Sequence, residues 1–298
     1  MFMLENLLKK LDEALSTRRL ASGGYCEYTG GNYRPDSTAW AVLALCTLGD
    51  NDPAVSSARD CLQQDQHADG RISISRNHPD VIWPTSLALL AWLGSPFHDE
   101  ARSLAARFLL STSGIHAVKQ PVSTLGHDSS LRGWPWVEQT HSWIEPTALT
   151  IIALRRSGFE SHPRIQEGVE MVINRQLPSG GWNYGNTLVF GQELQPMPDS
   201  TGLALEALAN MCGREEVAAS LTYLEMLLPN LRTPFSLSWS LLGLAAWGIT
   251  PGGRVNLVHQ CLKRQSLFGV YPTSSLSLLT LALQAPSGLF KHLQGRLS

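Results

Sequence analysis

Three acidic residues stand at the same place in a repeated segment: Asp36 in Asp36-Ser-Thr38, Glu145 in Glu145-Pro-Thr147 and Asp199 in Asp199-Ser-Thr201. Each is followed by a run of small and apolar residues. If those runs are helices of one ring, their first turns bring the carboxylates to one end of a common axis. Two carboxyl groups that share an apolar site resist ionising together, so one keeps its proton to higher pH and becomes an acid usable near neutrality. A plainer role competes. Asp is a favoured helix N-cap, worth about 1 kcal/mol, and capping accounts for Asp36 and Asp199 without chemistry. It accounts less well for Glu145, because Glu is not a preferred cap and Pro146 suits a first helical turn unaided.

Aromatic residues crowd the same end. Trp83 takes the acid position in Trp83-Pro-Thr85, Trp134, Trp136 and Trp143 precede Glu145, Trp182 and Tyr184 precede Asp199, and Trp239 opens a fifth run. Each aromatic face attracts a cation by about 0.5–2 kcal/mol, so together they would wall a site that handles a carbocation. For Trp182 taken alone, packing is the simpler role.

The elements that must position these groups come in repeats. Gln176-Leu-Pro-Ser-Gly-Gly-Trp182 has the form Q-x-x-x-G-x-W, and weaker copies begin at Arg19, Gln66 and Gln265. A polar residue ending a helix, a glycine permitting a tight turn and a planar side chain packing back make a structural clasp. Apolar runs follow the clasps at 34–48, 83–94, 145–157, 199–211, 234–248 and 273–284, with Ser238-Trp239-Ser240 aligned to the acid motif in the fifth. They are apolar nearly all round, as buried helices are. Between them lie amphipathic helices at about 2–18, 53–66, 97–111, 162–176, 214–228 and 252–265, with a last short one near 287–296. In 162–176 the apolar residues Ile165, Val169, Val172 and Ile173 fall at helical spacing. Six inner and six outer helices predict an (α/α)6 toroid, with residues 1–298 forming a single domain. Two long connections, 112–144 and 177–198, lead into Glu145 and Asp199, and loops of that length in a compact domain are commonly functional.

Composition narrows the partners. Charged residues are only 16% of the 298, which fits a large buried ring. A net charge of −2 gives no basic footprint, so no nucleic-acid partner is expected. The five cysteines form no C-x-x-C pair, and the first residues show no basic region followed by an apolar stretch, so the chain reads as cytoplasmic. No run reaches the roughly 18 apolar residues of a membrane span, which leaves peripheral membrane contact through an apolar patch. His116, His127 and His141 lack metal-ligand spacing. Oligomeric state is not legible.

The clasp on an α/α toroid resembles the terpene cyclase and protein prenyltransferase superfamily, nearest to squalene-hopene-cyclase-like repeats. The resemblance implies an apolar, isoprenoid small-molecule substrate and acid-initiated carbocation cyclisation, an isomerase or lyase activity without a cofactor. The D-x-D-D-T motif of those cyclases falls on Arg34-Pro-Asp36-Ser-Thr38, Trp143-Ile-Glu145-Pro-Thr147 and Met197-Pro-Asp199-Ser-Thr201. The position of the acid is acidic each time, and neither flanking Asp is present. Asp60-Cys61 has the wrong spacing for the zinc site of the prenyltransferases, so no metal is expected. On this reading Asp199 is the general acid, Glu145 its partner, Asp36 a second polar anchor, and the tryptophans and Tyr184 bind substrate. Two other classes suit the same residues. One is a polysaccharide-active (α/α)6 toroid, a glycoside hydrolase or lyase with stacking tryptophans. The other is a non-catalytic binding or assembly module in which the acids only cap helices.

Overall fold

The structure, a computed structural model, describes residues 2–49, 53–118 and 126–294. Its inner helices are α2 (Pro35–Leu48), α4 (Pro84–Ala91), α6 (Ile144–Leu154), α8 (Pro198–Leu208), α10 (Pro234–Ala246) and α13 (Thr273–Gln284). Each touches the next, and α13 returns to α2, so the ring closes. The outer helices are α1 (Phe2–Ser16), α3 (Pro53–Asp65), α5 (Asp99–Ser111), α7 (Pro163–Asn174), α9 (Ala218–Leu227) and α11 (Arg254–Lys263). Each of α3, α5, α7, α9 and α11 packs on the inner helix before it, and α1 packs on α13. This is the expected (α/α)6 toroid.

Burial follows the sequence pattern. Every described residue of α6 except Glu145 is buried, as is every residue of α4. In α7 the buried face is Ile165, Gly168, Val169, Met171 and Val172, while Gln166, Glu170 and Asn174, one turn apart, are exposed. The closest inner pair is α8 with α10, and glycine permits it. A Cβ on Gly243 would stand 2.7 Å from the Gly202 Cα, and one on Gly202 would meet the Trp239 carbonyl.

The clasp is one turn built repeatedly. Gly23, Gly70 and Gly180 have φ of 96°, 98° and 92°, and each donates its N–H to the carbonyl three residues earlier. A Cβ at these positions would press into Ser57 of α3, Leu104 of α5 and Ala219 of α9, the next outer helix in each case. Positive φ and close approach therefore both require glycine there. Two residues on, the amides of Tyr25, Ile72 and Trp182 donate to the hydroxyls of Thr38, Thr85 and Thr201 at 2.9 Å. Trp134 does the same to Thr147, also at 2.9 Å. The threonine of the repeated motif is thus the bolt between clasp and inner helix.

Trp182 is fully buried against the end of α7 and donates its indole N–H to the Val172 carbonyl at 2.7 Å. Gln176 differs from expectation. It does not bond backbone near the next inner helix; its amide donates to Ser220 Oγ on the outer helix α9 at 2.7 Å. Gln66 likewise reaches outward, to the Ala101 carbonyl of α5 at 2.9 Å. The turn directs this side chain towards the helix the glycine leans on.

The two ends of the ring differ. All the long connections enter inner helices at their N-termini, and one carries the hairpin β1 (Leu188–Val189) and β2 (Gln192–Glu193). At the opposite end α14 (Leu289–Gln294) lies against α8 and α10. Residues 295 and 296 of the expected last helix fall outside the described residues. No described helix is long and apolar enough to cross a membrane.

Trp182→Ala removes a fully buried ring and one indole hydrogen bond, and should cost about 3–5 kcal/mol in denaturant unfolding. A loss below about 1 kcal/mol would show that the clasp does not hold the fold.

Candidate active site at the mouth of the ring

The threonine bolt sets the rotation of the inner helices α2, α4, α6 and α8. Thr38, Thr147 and Thr201 also donate their N–H to the carbonyl four residues earlier, as do Leu237 of α10 and Leu276 of α13. Leu237 therefore holds the threonine position in the fifth repeat, three residues before the register read from Ser238-Trp239-Ser240. With Thr85 in the second repeat, the residue two before the bolt is Asp36, Trp83, Glu145, Asp199, Phe235 or Ser274 around the ring. One helical turn deeper stand Trp40, Leu87, Leu149, Leu203, Trp239 and Leu278, all 4% exposed or less. Trp40 and Trp239 meet edge to face, ring centroids 6.0 Å apart, although α13 separates their helices in the ring. They can meet only across the axis. The mouth is therefore a bowl whose base is apolar and filled.

The carboxylates are not caps. The cap positions of α2 and α8 are Arg34 and Met197, and Pro35 and Pro198 precede Asp36 and Asp199 within the helices. Asp36 is held by a two-pronged Arg34 pair, Nε to Oδ1 at 2.9 Å and Nη2 to Oδ2 at 2.8 Å. Asp199 accepts from Ser236 Oγ of α10 at 3.1 Å. Glu145 forms no hydrogen bond among the described residues. It is half-buried at the N-terminal turn of α6. Burial, and then the negative charge of Asp199, push its carboxyl up to about 8. Burial and the same Asp199 charge push the Tyr223 phenol up to about 12, and its hydroxyl donates to the Pro196 carbonyl at 2.8 Å. Asp199 thus acts electrostatically on both. Arg175, buried at the end of α7, donates to the Ser142 carbonyl at 2.7 Å and braces the strand of chain that enters α6.

Of the aromatic residues expected at the site, Trp83 and Trp136 are brought together there, edge to face with centroids 5.2 Å apart, and both half-buried. Trp143 is half-buried and precedes Glu145 directly; Tyr184 is exposed, and its carbonyl receives the Ile144 N–H at 3.0 Å. Trp134 and Trp182 are placed elsewhere. Trp134 is the clasp residue of the third repeat, buried between rings with its indole N–H on the Leu109 carbonyl at 2.8 Å and the Arg164 guanidinium 4.1 Å from its ring. Trp239 belongs to the base, not the wall. Phe235 at the mouth and Trp40 at the base were missed. The signal for Phe235 was Pro234, which matches Pro35 and Pro198 at the helix start.

Among the described residues no group of three or more His, Cys, Asp or Glu side chains is placed to hold a metal. A groove of about 890 Å³, lined by residues including Asp69, Arg107, Phe108, His116 and Glu138, lies at the outer rim and excludes the mouth carboxylates.

No family model matches the chain, and no curated protein matches it in sequence. Solved structures do match over nearly its whole length. An α-1,6-mannanase of Salegentibacter superposes with a TM-score of 0.64 at 13% identity, covering 96% of this chain and 99% of that one. The type II terpene cyclase MstE of Scytonema, in complex with geranylgeranyl dihydroxybenzoate, gives 0.63 at 15% identity over 98% of both chains. A protein from Actinoplanes gives 0.63 at 18%, over 95% of this chain and 98% of that one. At such identities the likeness is one of fold, the α/α toroid.

The raised Glu145 makes stability depend on pH with a definite sign. Its folded carboxyl holds a proton up to about 8, against an ordinary value of 4.5, so the folded state binds more protons between those limits. Stability from this group is complete below the unfolded value and is lost as pH rises towards about 8. Glu145→Gln should therefore gain melting temperature relative to the wild type from about pH 5 to about pH 8, then level off. Parallel melting curves across that range would place Glu145 in water.

Proposed function

We propose that the chain is an acid-initiated isoprenoid-cyclising enzyme, an isomerase or lyase, with Glu145 as proton donor and Asp199 as its charged partner. The observation that carries this reading is a half-buried carboxyl group, pushed up to about 8 by burial and by Asp199, one helical turn above an apolar layer that contains Trp40 and Trp239. An acid that acts on an alkene must rest protonated, and Glu145 meets that condition through burial. The roles are exchanged relative to the sequence reading, which gave the acid to Asp199. Asp199 has the Ser236 hydroxyl, while Glu145 has no hydrogen-bonding partner among the described residues to hold its anion.

In this mechanism the Glu145 O–H bond breaks as its proton adds to a terminal alkene carbon, leaving a tertiary cation. The next alkene donates its π electrons to close a ring, and the last cation returns a proton to a carboxylate. Trp83 and Phe235 present aromatic rings to the charge. Asp36, fixed by Arg34, anchors the far side. The apolar base favours an isoprenoid over a sugar, whose hydroxyls would lose water there without gaining partners. MstE, with its geranylgeranyl ligand, supports the reading through fold.

One observation favours a second reading. A protonated carboxyl beside a charged one is also the acid and base pair of a glycosidase, and the mannanase shares the toroid. Incubation with farnesyl diphosphate, geranylgeranyl diphosphate and squalene, and separately with α-1,6-mannan oligosaccharides, followed by mass spectrometry, separates the two. Product from the oligosaccharides alone would replace the first reading with the second. Turnover of neither, by folded protein, would leave a binding module.

Variants test the roles. Glu145→Gln should lower turnover about 10²–10⁴-fold, the usual contribution of a general acid. Asp199→Asn should leave folding intact and move the alkaline limb of activity to lower pH, because Glu145 loses the charge that helps retain its proton. An unmoved limb would sever the pair.

A further inference from the structure

The sixth clasp keeps the spacing and the positive φ, 89° at Gly269, but its bonds are its own: Gly269 donates its N–H to the Gln265 carbonyl at 3.0 Å, Gln265 Oε1 accepts the Tyr271 N–H at 2.9 Å, and a Cβ on Gly269 would meet nothing. Tyr271 is buried and its hydroxyl donates to the Cys261 carbonyl at 2.8 Å, which anchors the turn on α11. The tips of the other clasps carry Ala21 and Ser22, Ala68 and Asp69, and Pro178 and Ser179, all exposed. The sixth carries Leu267, Phe268 and Val270, which are 76%, 74% and 66% exposed. Small or polar residues stand at the other tips, whereas these three large apolar side chains lie mostly in water and add little to the core.

The charge of the sequence in this part of the chain is one-sided too. Glu225 is the last acidic residue of the chain, and everything after it carries only Arg232, Arg254, Lys263, Arg264, Lys291 and Arg296. Lys263 and Arg264 stand immediately before the apolar tip, Lys263 exposed and Arg264 half-buried. Arg232, also exposed, enters α10 at the same end. Their cationic charge has no acidic counterpart within this part of the chain. Phe190, fully exposed at the tip of the β1–β2 hairpin, projects from that end as well.

We propose that the Gln265–Val270 turn docks the protein on an anionic phospholipid bilayer, with Leu267, Phe268 and Val270 entering the acyl boundary and Lys263, Arg264 and Arg232 meeting lipid phosphates. An apolar tip flanked by basic residues is the pattern that seats a peripheral protein in the interface. Docking by this turn would set the mouth of the ring towards the bilayer. The proposal stands on exposure and charge alone and does not depend on the reaction assigned to the mouth.

Sedimentation of the full chain with phosphatidylcholine vesicles, and with vesicles containing phosphatidylglycerol, tests it without reference to turnover. Binding should need phosphatidylglycerol and should fall steeply between low and high salt. The double change Leu267→Ser with Phe268→Ser should lower the bound fraction about tenfold or more with an unchanged melting temperature, since both side chains lie in water. Lys263→Gln with Arg264→Gln should weaken binding and flatten its salt dependence. No sedimentation with either vesicle, or equal binding by wild type and both variants, would overturn the proposal. So would a change in oligomer size in the Leu267→Ser, Phe268→Ser protein, which would make the turn a protein contact.

Discussion

Everything at the mouth of the ring depends on a hydrogen bond from a clasp amide to a threonine hydroxyl. Its length is 2.9 Å in all four repeats that make it. A net contribution of about 0.5–1.5 kcal/mol is unremarkable for such a bond. Its importance is geometric. An apolar helix buried on every side has no polar stripe to fix its rotation, so a polar tie at its first turn decides which residues face the axis. The tie also satisfies a buried amide that would otherwise be an orphan. Because it recurs, residues at one offset, Asp36, Trp83, Glu145 and Asp199, converge although they are far apart in the chain.

Convergence alone does not make a site, and two buried glutamates show why. Glu145 and Glu206 are both pushed up to about 8 by burial. Glu206, on α8 at the opposite end, accepts from the Phe290 backbone amide at 3.2 Å and from that of Leu289, tying α14 across the ring. Its oxygens are used by the fold. Among the described residues Glu145 has no such bonds, it is not fully enclosed, and the negative charge of Asp199 acts on it. The same desolvation therefore describes a structural bracket in one place and a group free to act in the other.

How far this was legible in the sequence follows from which forces leave a local trace. Repetition, amphipathicity and Gly-x-Trp turns are local, so the ring, its order and the acid offset in four repeats could be read. Register in the fifth repeat could not be read from small-residue similarity, because Ser238-Trp239-Ser240 mimics the motif one helical turn late. The helix-starting proline was the better guide. Trp134 was ambiguous since its clasp lacks the Gln and spaces its glycine differently, so only the indole bond to Leu109 assigns it. The partner of Gln176 was illegible for another reason: which helix it reaches depends on how outer helices stack, and no spacing in the chain records that.

The asymmetry of the two ends connects these points. Outer helices finish, and inner helices begin, at the end that bears the clasps, the long connections, the hairpin and most of the exposed aromatic and aliphatic side chains. The opposite end is tightened by short connections and α14. A clasp tip lies outside the tie that holds it, so its residues can vary without moving Thr38 or Thr201 and without turning a carboxylate from the axis. Leu267 and Phe268 occupy such a tip, and Tyr184 lies in the connection that follows another. The offset that orients Glu145 belongs to the closed scaffold, while the surface that meets anything approaching it belongs to the loops.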